Sequence, residues 1–387
     1  QGKPQLYLDC SRMQGWDIIV DSKAIPSERY AAEELQYWFE KAMRIALPVY
    51  HKIDEIAHHI IIGQNVPLAK NVLSIDAAEL GEEGFHVAIQ QELVAIVGGR
   101  PRGTLYGVYQ FLEDGLGIRF LTSEHTHVPK AAKAKIPCGE YAYKPPFSFR
   151  WSYYRENSNA PEFAARLRVN TVTPDVKLGG NTPQNLINHS FHWLVPFSKY
   201  GEAHPEYYAL LDGKRHTDTA GGGPQLCVTN PDVIQVAAES AIRYINEHPG
   251  LKNVSVSQAD TSKYCRCDAC EEINQREGTP MGSQLAFVNA VAELVEKAHP
   301  DVKVGTLAYW YTRKAPKTIR PRHNVQIQLC SIECCTLHPI DDPDCPKNRD
   351  FYNDMNEWGK ISNDIWVWNY NTNFRAYDLP FPNLRSI

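Results

Sequence analysis

The feature that most constrains this chain is an alternation. After residue 147, strand-like runs recur at 147–153, 168–174, 224–228, 254–260, 302–309, 325–333 and 365–370. Helical stretches lie between several of them. One covers 231–247, with Val233, Val236, Ala237, Ala241 and Ile242 on one face. Another covers 283–298, with Leu285, Phe287, Val288, Val291 and Leu294. Strands separated by helices of this length pair in parallel, with the helices as crossovers. A (β/α)8 barrel needs eight strands, and seven are legible. The chain stops at Ile387, straight after the seventh. The expected fold class is therefore α/β, a (β/α)8-type barrel over 147–387, incomplete at its C-terminus in a fragment of a longer polypeptide.

At 387 residues the chain exceeds one ordinary core, so a second domain is expected. Residues 1–125 supply it. A strand at 17–22 precedes a helix from Ser27, whose apolar face holds Ala31, Leu35, Trp38 and Met43. A buried strand at 59–63 follows, then a hairpin of 85–89 and 93–98. The stretch GGRPRGTLYGVYQFLEDGLGIRFL, 98–121, reads as a turn, a helix over 104–114 and a strand over 118–120. This order gives a small α+β domain. Its Gly-rich turn lacks both the G-x-G-x-x-G and the P-loop Lys patterns, which argues against a phosphate loop. Residues 126–146, with Pro129, Pro137, Pro145 and Pro146, read as a linker.

The net charge of -5 argues against a nucleic-acid partner, which needs a basic face. No apolar run approaches the ~20 residues of a membrane span. The chain opens at Gln1 without a signal peptide, as a trimmed mature start would.

One stretch, NVSVSQADTSKYCRCDAC (253–270), offers both chemistry and structure. Its strand ends on Asp260, and a carboxylate at the C-terminal end of a parallel strand is where barrel enzymes place catalytic groups. Then come Cys265, Cys267 and Cys270. Three thiols in a C-x-C-x-x-C spacing suit a closed tetrahedral zinc site, and Cys227, at the end of the third expected strand, is the neighbour that could supply a fourth. Disulfides in an oxidising compartment are the rival reading. In a second group, adjacent Cys334 and Cys335 cannot easily bridge each other, and Cys345 is the natural disulfide partner for one of them.

Two sets of motifs carry a resemblance. Gly98-Gly99-x-Pro101-x-Gly103-Thr104-Leu105-Tyr106-Gly107, with Gly117-Ile118-Arg119-Phe120, resembles the non-catalytic domain preceding the barrel in glycoside hydrolase families 20 (β-hexosaminidases) and 67 (α-glucuronidases). Ser257-Gln258-x-Asp260, Tyr264-Cys265-x-Cys267-x-x-Cys270, Leu307-Ala308-Tyr309, Cys330-x-x-Glu333-Cys334-Cys335-x-x-His338-Pro339, Trp358 and Pro380-Phe381-Pro382-Asn383 resemble the domain-of-unknown-function family 4838. The resemblance implies a sugar-active barrel. One departure is Ala259, where that family leads one to expect Asn. The thiol spacing is similar to a zinc arrangement beside the barrel of family 42 β-galactosidases.

Glycoside hydrolysis usually needs two carboxyl groups, one protonated and one ionised. Asp260 is the expected acid, and Glu333, after the sixth expected strand, the expected base or nucleophile. Glu156 lies beyond the first. Arg150 and Tyr153 on the first strand, His189 and His192 in NHSFHW, Tyr309, His338 and Asn369 are the expected sugar-binding residues. An Arg at position 150 would suit a uronic carboxylate, or neutralise the protein's own acids. The expectation is an exo-acting, periplasmic or secreted glycoside hydrolase whose partner is carbohydrate. Any zinc is structural, and catalysis needs no cofactor. The alternatives are a carbohydrate-binding protein that keeps the fold without turnover, and a zinc enzyme of another kind.

Overall fold

The structure, a computed structural model, describes residues 4–9, 11–53, 58–72, 76–130, 133–217, 223–377 and 379. Cys10 and the Pro380–Asn383 motif lie outside them. The chain divides into two compact units, Gln1–Thr182 and Pro183–Ile387.

In the first unit β1 (Gln5–Asp9), β2 (Trp16–Val20) and β3 (Val49–Tyr50) are followed by β4 (His58–Ile62), β5 (Phe85–Ile89) and β6 (Leu93–Gly98). A short antiparallel pair, β7 (Arg119–Phe120) and β8 (Thr126–His127), precedes β9 (Lys133–Pro137) and β10 (Gly139–Tyr143). Six strands form one sheet in the order β10-β5-β6-β4-β2-β3. The β5–β6 hairpin is antiparallel, while β6, β4, β2 and β3 run parallel. Helices α1 (Pro26–Met43) and α2 (Gly103–Leu116) cover one face. Leu35, Phe39, Leu105, Val108 and Leu112 of these helices pack with Ile18, Ile60 and Val94 of the strands, all fully buried. The GGRPRG turn is a close backbone approach. A Cβ on Gly98 would lie 2.0 Å from the Thr104 nitrogen, and one on Gly99 would lie 1.6 Å from the Gly81 oxygen. Only glycine allows that contact.

Residues 126–146 are not a linker. β10 pairs with β5 in register from Gly139↔Ile89 to Tyr143↔Phe85, and β9 pairs with β1. The prolines that suggested a break sit outside the ladders or at a strand end, where proline is tolerated. The expected strands at 147–153 and 168–174 are also absent, and both belong to the first unit. Side chains replace a ladder there. The Asn170 Oδ1 accepts from the Arg150 N–H at 3.0 Å, and the Thr171 hydroxyl donates to the Arg150 carbonyl at 3.1 Å.

The second unit opens with the small hairpin β11 (Leu210–Leu211) and β12 (Lys214–Arg215). Its core is a four-stranded parallel sheet, β13 (Asn253–Ser255), β14 (Lys303–Ala308), β15 (Val325–Cys330) and β16 (Ile365–Trp368), in sequential order. The expected strand at 224–228 makes only a single antiparallel bridge, Leu226 to Tyr208. Among the described residues there is no closed barrel, and the fold is mixed α/β. Helices α3 (Pro231–Glu247), α4 (Asp268–Glu277), α5 (Met281–Ala298) and α6 (Pro346–Ile361) follow or link the strands.

The period of two along each strand sorts its residues. Val304, Val325, Ile327 and Leu329 join Val288, Val291, Val295, Phe351 and Trp358 of the helices in one core. The opposite face carries Asn253, Ser255, Gly305, Leu307, Gln326 and Cys330. That face is covered by the segment 185–190, which runs beside β13 without forming a ladder. The Asn185 N–H donates to the Asn253 Oδ1 at 2.7 Å and the Asn188 N–H to the Ser255 Oγ at 3.1 Å. The Ser257 N–H donates to the Ser190 Oγ at 2.8 Å. A Cβ on Gly305 would sit 2.4 Å from the Ile187 side chain, so this glycine lets the segment lie flat on the sheet. Both faces of the parallel sheet are thus covered, as such sheets require.

Candidate functional site

The C-terminal ends of these four strands carry the candidate site. Asp260 lies five residues past β13, Tyr309 directly follows β14, Glu333 lies three past β15, and Asn369 directly follows β16. Carboxyl ends of parallel strands are where open and closed α/β folds bind ligands.

Asp260 is held from beneath. The buried Gln225 accepts from the Ala259 N–H at 3.1 Å, and its amide donates to the Ala259 and Thr261 carbonyls at 2.8 and 2.6 Å. The Asp260 side chain is half exposed and faces His189, with Nε2 3.6 Å from Oδ1. The other ring nitrogen, Nδ1, lies 2.6 Å from the Gln258 carbonyl and must donate to it. That fixes the tautomer. Nε2 is therefore the ring nitrogen turned toward the Asp260 carboxylate. Tyr309 stacks edge-on against His189, with ring centroids 5.7 Å apart. Burial, then the negative charge of Asp260 and more distantly Glu333, pushes its hydroxyl up to about 12. Tyr309 therefore sits within electrostatic reach of both carboxylates. The next residue, Trp310, is half exposed and has a positive φ of 54°. Backbone strain of this kind concentrates at functional sites.

Glu333 is clamped by Arg313, whose Nη1 donates to it at 3.2 Å. The same guanidinium donates to Asp354 at 2.7 Å and to Asp350. The fully buried Trp358 donates from Nε1 to the Arg313 carbonyl at 2.7 Å, so α6 sets the position of the arginine. Asn369 accepts from the Ser331 hydroxyl at 2.8 Å, tying the end of β16 to the Glu333 loop. His192 is exposed on the short helix Phe191–Leu194, and partial burial with the nearby His189 holds its imidazole below the usual range.

Arg150 is committed within the first unit. It pairs with Glu83 at 2.7 Å and donates to the Phe147 and Arg168 carbonyls at 2.6 and 2.7 Å. It neutralises the protein's own acid, Glu83. Tyr153 is exposed on the irregular stretch beside Trp151, also in the first unit. Glu156 accepts from the Ser123 N–H at 2.6 Å. His338 lies by Cys335, 3.5 Å from Nδ1 to Sγ. Arg313, Gln225 and Asp354 were not expected. Arg313 carries a faint signal, lying four residues beyond Tyr309 in a loop that follows a strand.

The four thiols meet. Cys227, Cys265, Cys267 and Cys270 have their sulfurs all within 4.8 Å of one another. Tetrahedral zinc with Zn–S near 2.3 Å requires sulfurs about 3.8 Å apart, and Cys227 and Cys267 are 3.7 Å apart. The Leu210 N–H donates to the Cys265 sulfur at 3.3 Å, and the Thr229 hydroxyl lies 3.3 Å from the Cys270 sulfur. Hydrogen bonds from Cys265 and Cys270 push the Cys227 thiol far down, while sharing a proton with Cys227 pushes Cys265 up to about 12. A cation would let all four ionise together.

Residues 120–387 match the family described as Domain of unknown function (DUF4838). Residues 10–111 match Glycosyl hydrolase family 67 N-terminus. A search of curated proteins returned no match. Among solved structures, BtGH115A is described as a family GH115 4-O-methyl-α-glucuronidase with specificity for decorated arabinogalactans. It superposes with a TM-score of 0.51 at 14% identity, over 94% of this chain and 55% of that one. A chitobiase from Flavobacterium johnsoniae gives 0.50 at 10% identity, over 100% of this chain and 62% of that one. The GH20 β-N-acetylhexosaminidase from Streptomyces coelicolor A3(2) gives 0.47 at 13% identity, over 98% and 76%. The chain spans little more than half the length of the first two. At these identities the likeness is one of fold. The match over 120–387 covers more than half of the sequence, and the chain belongs to the DUF4838 family.

Proposed function

We propose that this chain is a glycoside hydrolase acting on a terminal sugar, with its four parallel strands forming part of a (β/α)8-type barrel. The observation that carries the reading is the rim. Asp260 and Glu333 stand at the C-terminal ends of strands in one sheet, with Tyr309 between them in chain order and influenced by both charges. Glu333, paired with Arg313, is assigned the base or nucleophile. Asp260, facing His189 at 3.6 Å, is assigned the acid. His192 and Asn369 would meet sugar hydroxyls, and Trp310 offers an exposed ring. The family 67 match and the fold of the two superposed glycosidases support the same reading. Those two are described as a 4-O-methyl-α-glucuronidase and a chitobiase, so the sugar is left to experiment. The thiol cluster would hold a structural zinc, closed by four sulfurs and supplying no chemistry to the reaction. An extracytoplasmic location fits a carbohydrate substrate.

The test is hydrolysis of a panel of aryl glycosides that includes glucuronides and N-acetylhexosaminides. Asp260→Asn and Glu333→Gln should each lower kcat/KM on the active substrate by about 10²-fold or more, the scale of a lost acid or base. Rates equal to wild type in both variants would remove these carboxylates from the mechanism. A second reading, carbohydrate binding without turnover, draws on the buried Ala259 in place of the expected Asn. It predicts saturable oligosaccharide binding and no hydrolysis across the panel.

A further inference from the structure

A second cluster stands apart from the four thiols. Cys335, His338 and Cys345 bring two sulfurs and one imidazole nitrogen within 4.8 Å of one another. We propose that these three residues bind a divalent cation of the zinc class, through two thiolates and one imidazole, independently of the four-thiol cluster and of the glycosidase reading.

The distances fit. With Zn–S near 2.3 Å and Zn–N near 2.0–2.1 Å, a tetrahedral angle places sulfur and nitrogen about 3.5–3.6 Å apart. The Cys335 sulfur and the His338 Nδ1 are 3.5 Å apart. A thiol–imidazole hydrogen bond could give the same spacing for that pair alone. It would not need Cys345 brought to both partners.

The backbone is fixed around the three ligands. Asn348, fully buried, accepts from the Cys335 N–H at 2.7 Å. Its amide donates to the carbonyls of Cys335, His338 and Pro339 at 3.0, 2.9 and 2.9 Å. One side chain thereby shapes the whole Cys335-x-x-His338 loop. Asn348 also lies three residues past Cys345, at the start of α6, so the same residue links both halves of the site. Cys345 is buried at the N-cap of α6, while the His338 ring reaches in from an exposed loop. A ligand pair on a tight turn joined to a ligand at a helix start holds the three donor atoms in place before an ion arrives. Thiolate and imidazole donors select zinc over magnesium or calcium. Among the described residues three ligands converge, leaving a fourth position to solvent or a bound oxygen.

His338 is an expected sugar-binding residue and Cys345 an expected disulfide partner. The geometry instead groups them around one point. Cys334, the other candidate disulfide partner, packs partly buried against the helix-side core.

The experiment counts metal. The full 387-residue chain is purified with a phosphine reductant, loaded with zinc, freed of excess and measured by elemental mass spectrometry. His338→Ala and Cys335→Ser should each carry one zinc per chain fewer than wild type, with unchanged far-ultraviolet circular dichroism. Cys267→Ser should keep the zinc that these two lose. Because the readout is a difference, it stands whether or not the four-thiol cluster is loaded. Should Cys335→Ser fail to fold, the exposed His338→Ala decides alone. Zinc equal to wild type in His338→Ala would overturn the proposal. So would a Cys335–Cys345 disulfide in the peptide map of the native protein.

Discussion

Removing the Arg313 guanidinium should cost about 3 kcal/mol of stability at neutral pH, and the deficit should fade in acid. The Arg313 side chain is 13% exposed and faces three carboxylates. Asp354 is the buried one, at 12% exposure and 2.7 Å. Burial outweighs the arginine there, so the Asp354 carboxyl already sits above its usual range. Stripping one partner from a buried pair costs about 3–5 kcal/mol, and partial exposure brings the Asp354 share to about 2–3. Glu333 and Asp350 are exposed enough that each adds about 0–1 kcal/mol. In Arg313→Gln the Asp354 carboxyl rises further. A carboxyl whose folded pKa is raised destabilises the fold at pH above that value. The deficit is therefore full at pH 7.5 and shrinks as pH falls toward the ordinary Asp range near 4. Urea unfolding of wild type and Arg313→Gln at pH 7.5 and 5 reads this directly. A difference under about 0.5 kcal/mol at pH 7.5, or one that widens on acidification, would refute the reasoning.

Gly305→Ala drives a methyl group to 2.4 Å from Ile187 and should cost about 1–3 kcal/mol in urea unfolding; Ile187→Ala in the same chain should recover part of it, and no recovery would show that the two do not touch. Asn348→Ala strands one half-buried N–H and three carbonyls and should cost about 1–2 kcal/mol; an unchanged melting temperature would contradict that. The Tyr309 hydroxyl, read as the wild type minus Tyr309→Phe ultraviolet difference, should ionise near 12 and move down in Asp260→Asn. Burial is the larger cause, so the move is partial, and an upward move would contradict the geometry.

The legible parts of the second unit are those with local signals. Val325–Cys330 alternates apolar and polar residues, Lys303–Ala308 carries Val304, Leu307 and Ala308, and both strands form where the pattern places them. The C-x-C-x-x-C spacing put three thiols at the entry to one helix, and Cys227 joins them across the fold. The stretches 147–153 and 168–174 have similar composition but are pinned by Arg150, Asn170 and Glu83 through side-chain bonds. Hydrophobic patterning carries no information about that kind of support. The residues 126–146 misled because proline marks strand ends as well as linkers. In the site, Asp260, Glu333 and Tyr309 were legible from their place after strands. Arg313 and Gln225 were not, because they act on partners 20 and 34 residues away that only the fold brings near.

The measurement closest to the central claim is the crystal structure of this chain with a bound oligosaccharide. The terminal sugar should lie at the strand ends, in contact with Tyr309 and with its glycosidic oxygen within hydrogen-bond reach of Asp260. A sugar found instead against Trp38 and Tyr37, where the first unit has a cavity of about 450 Å³, would contradict it.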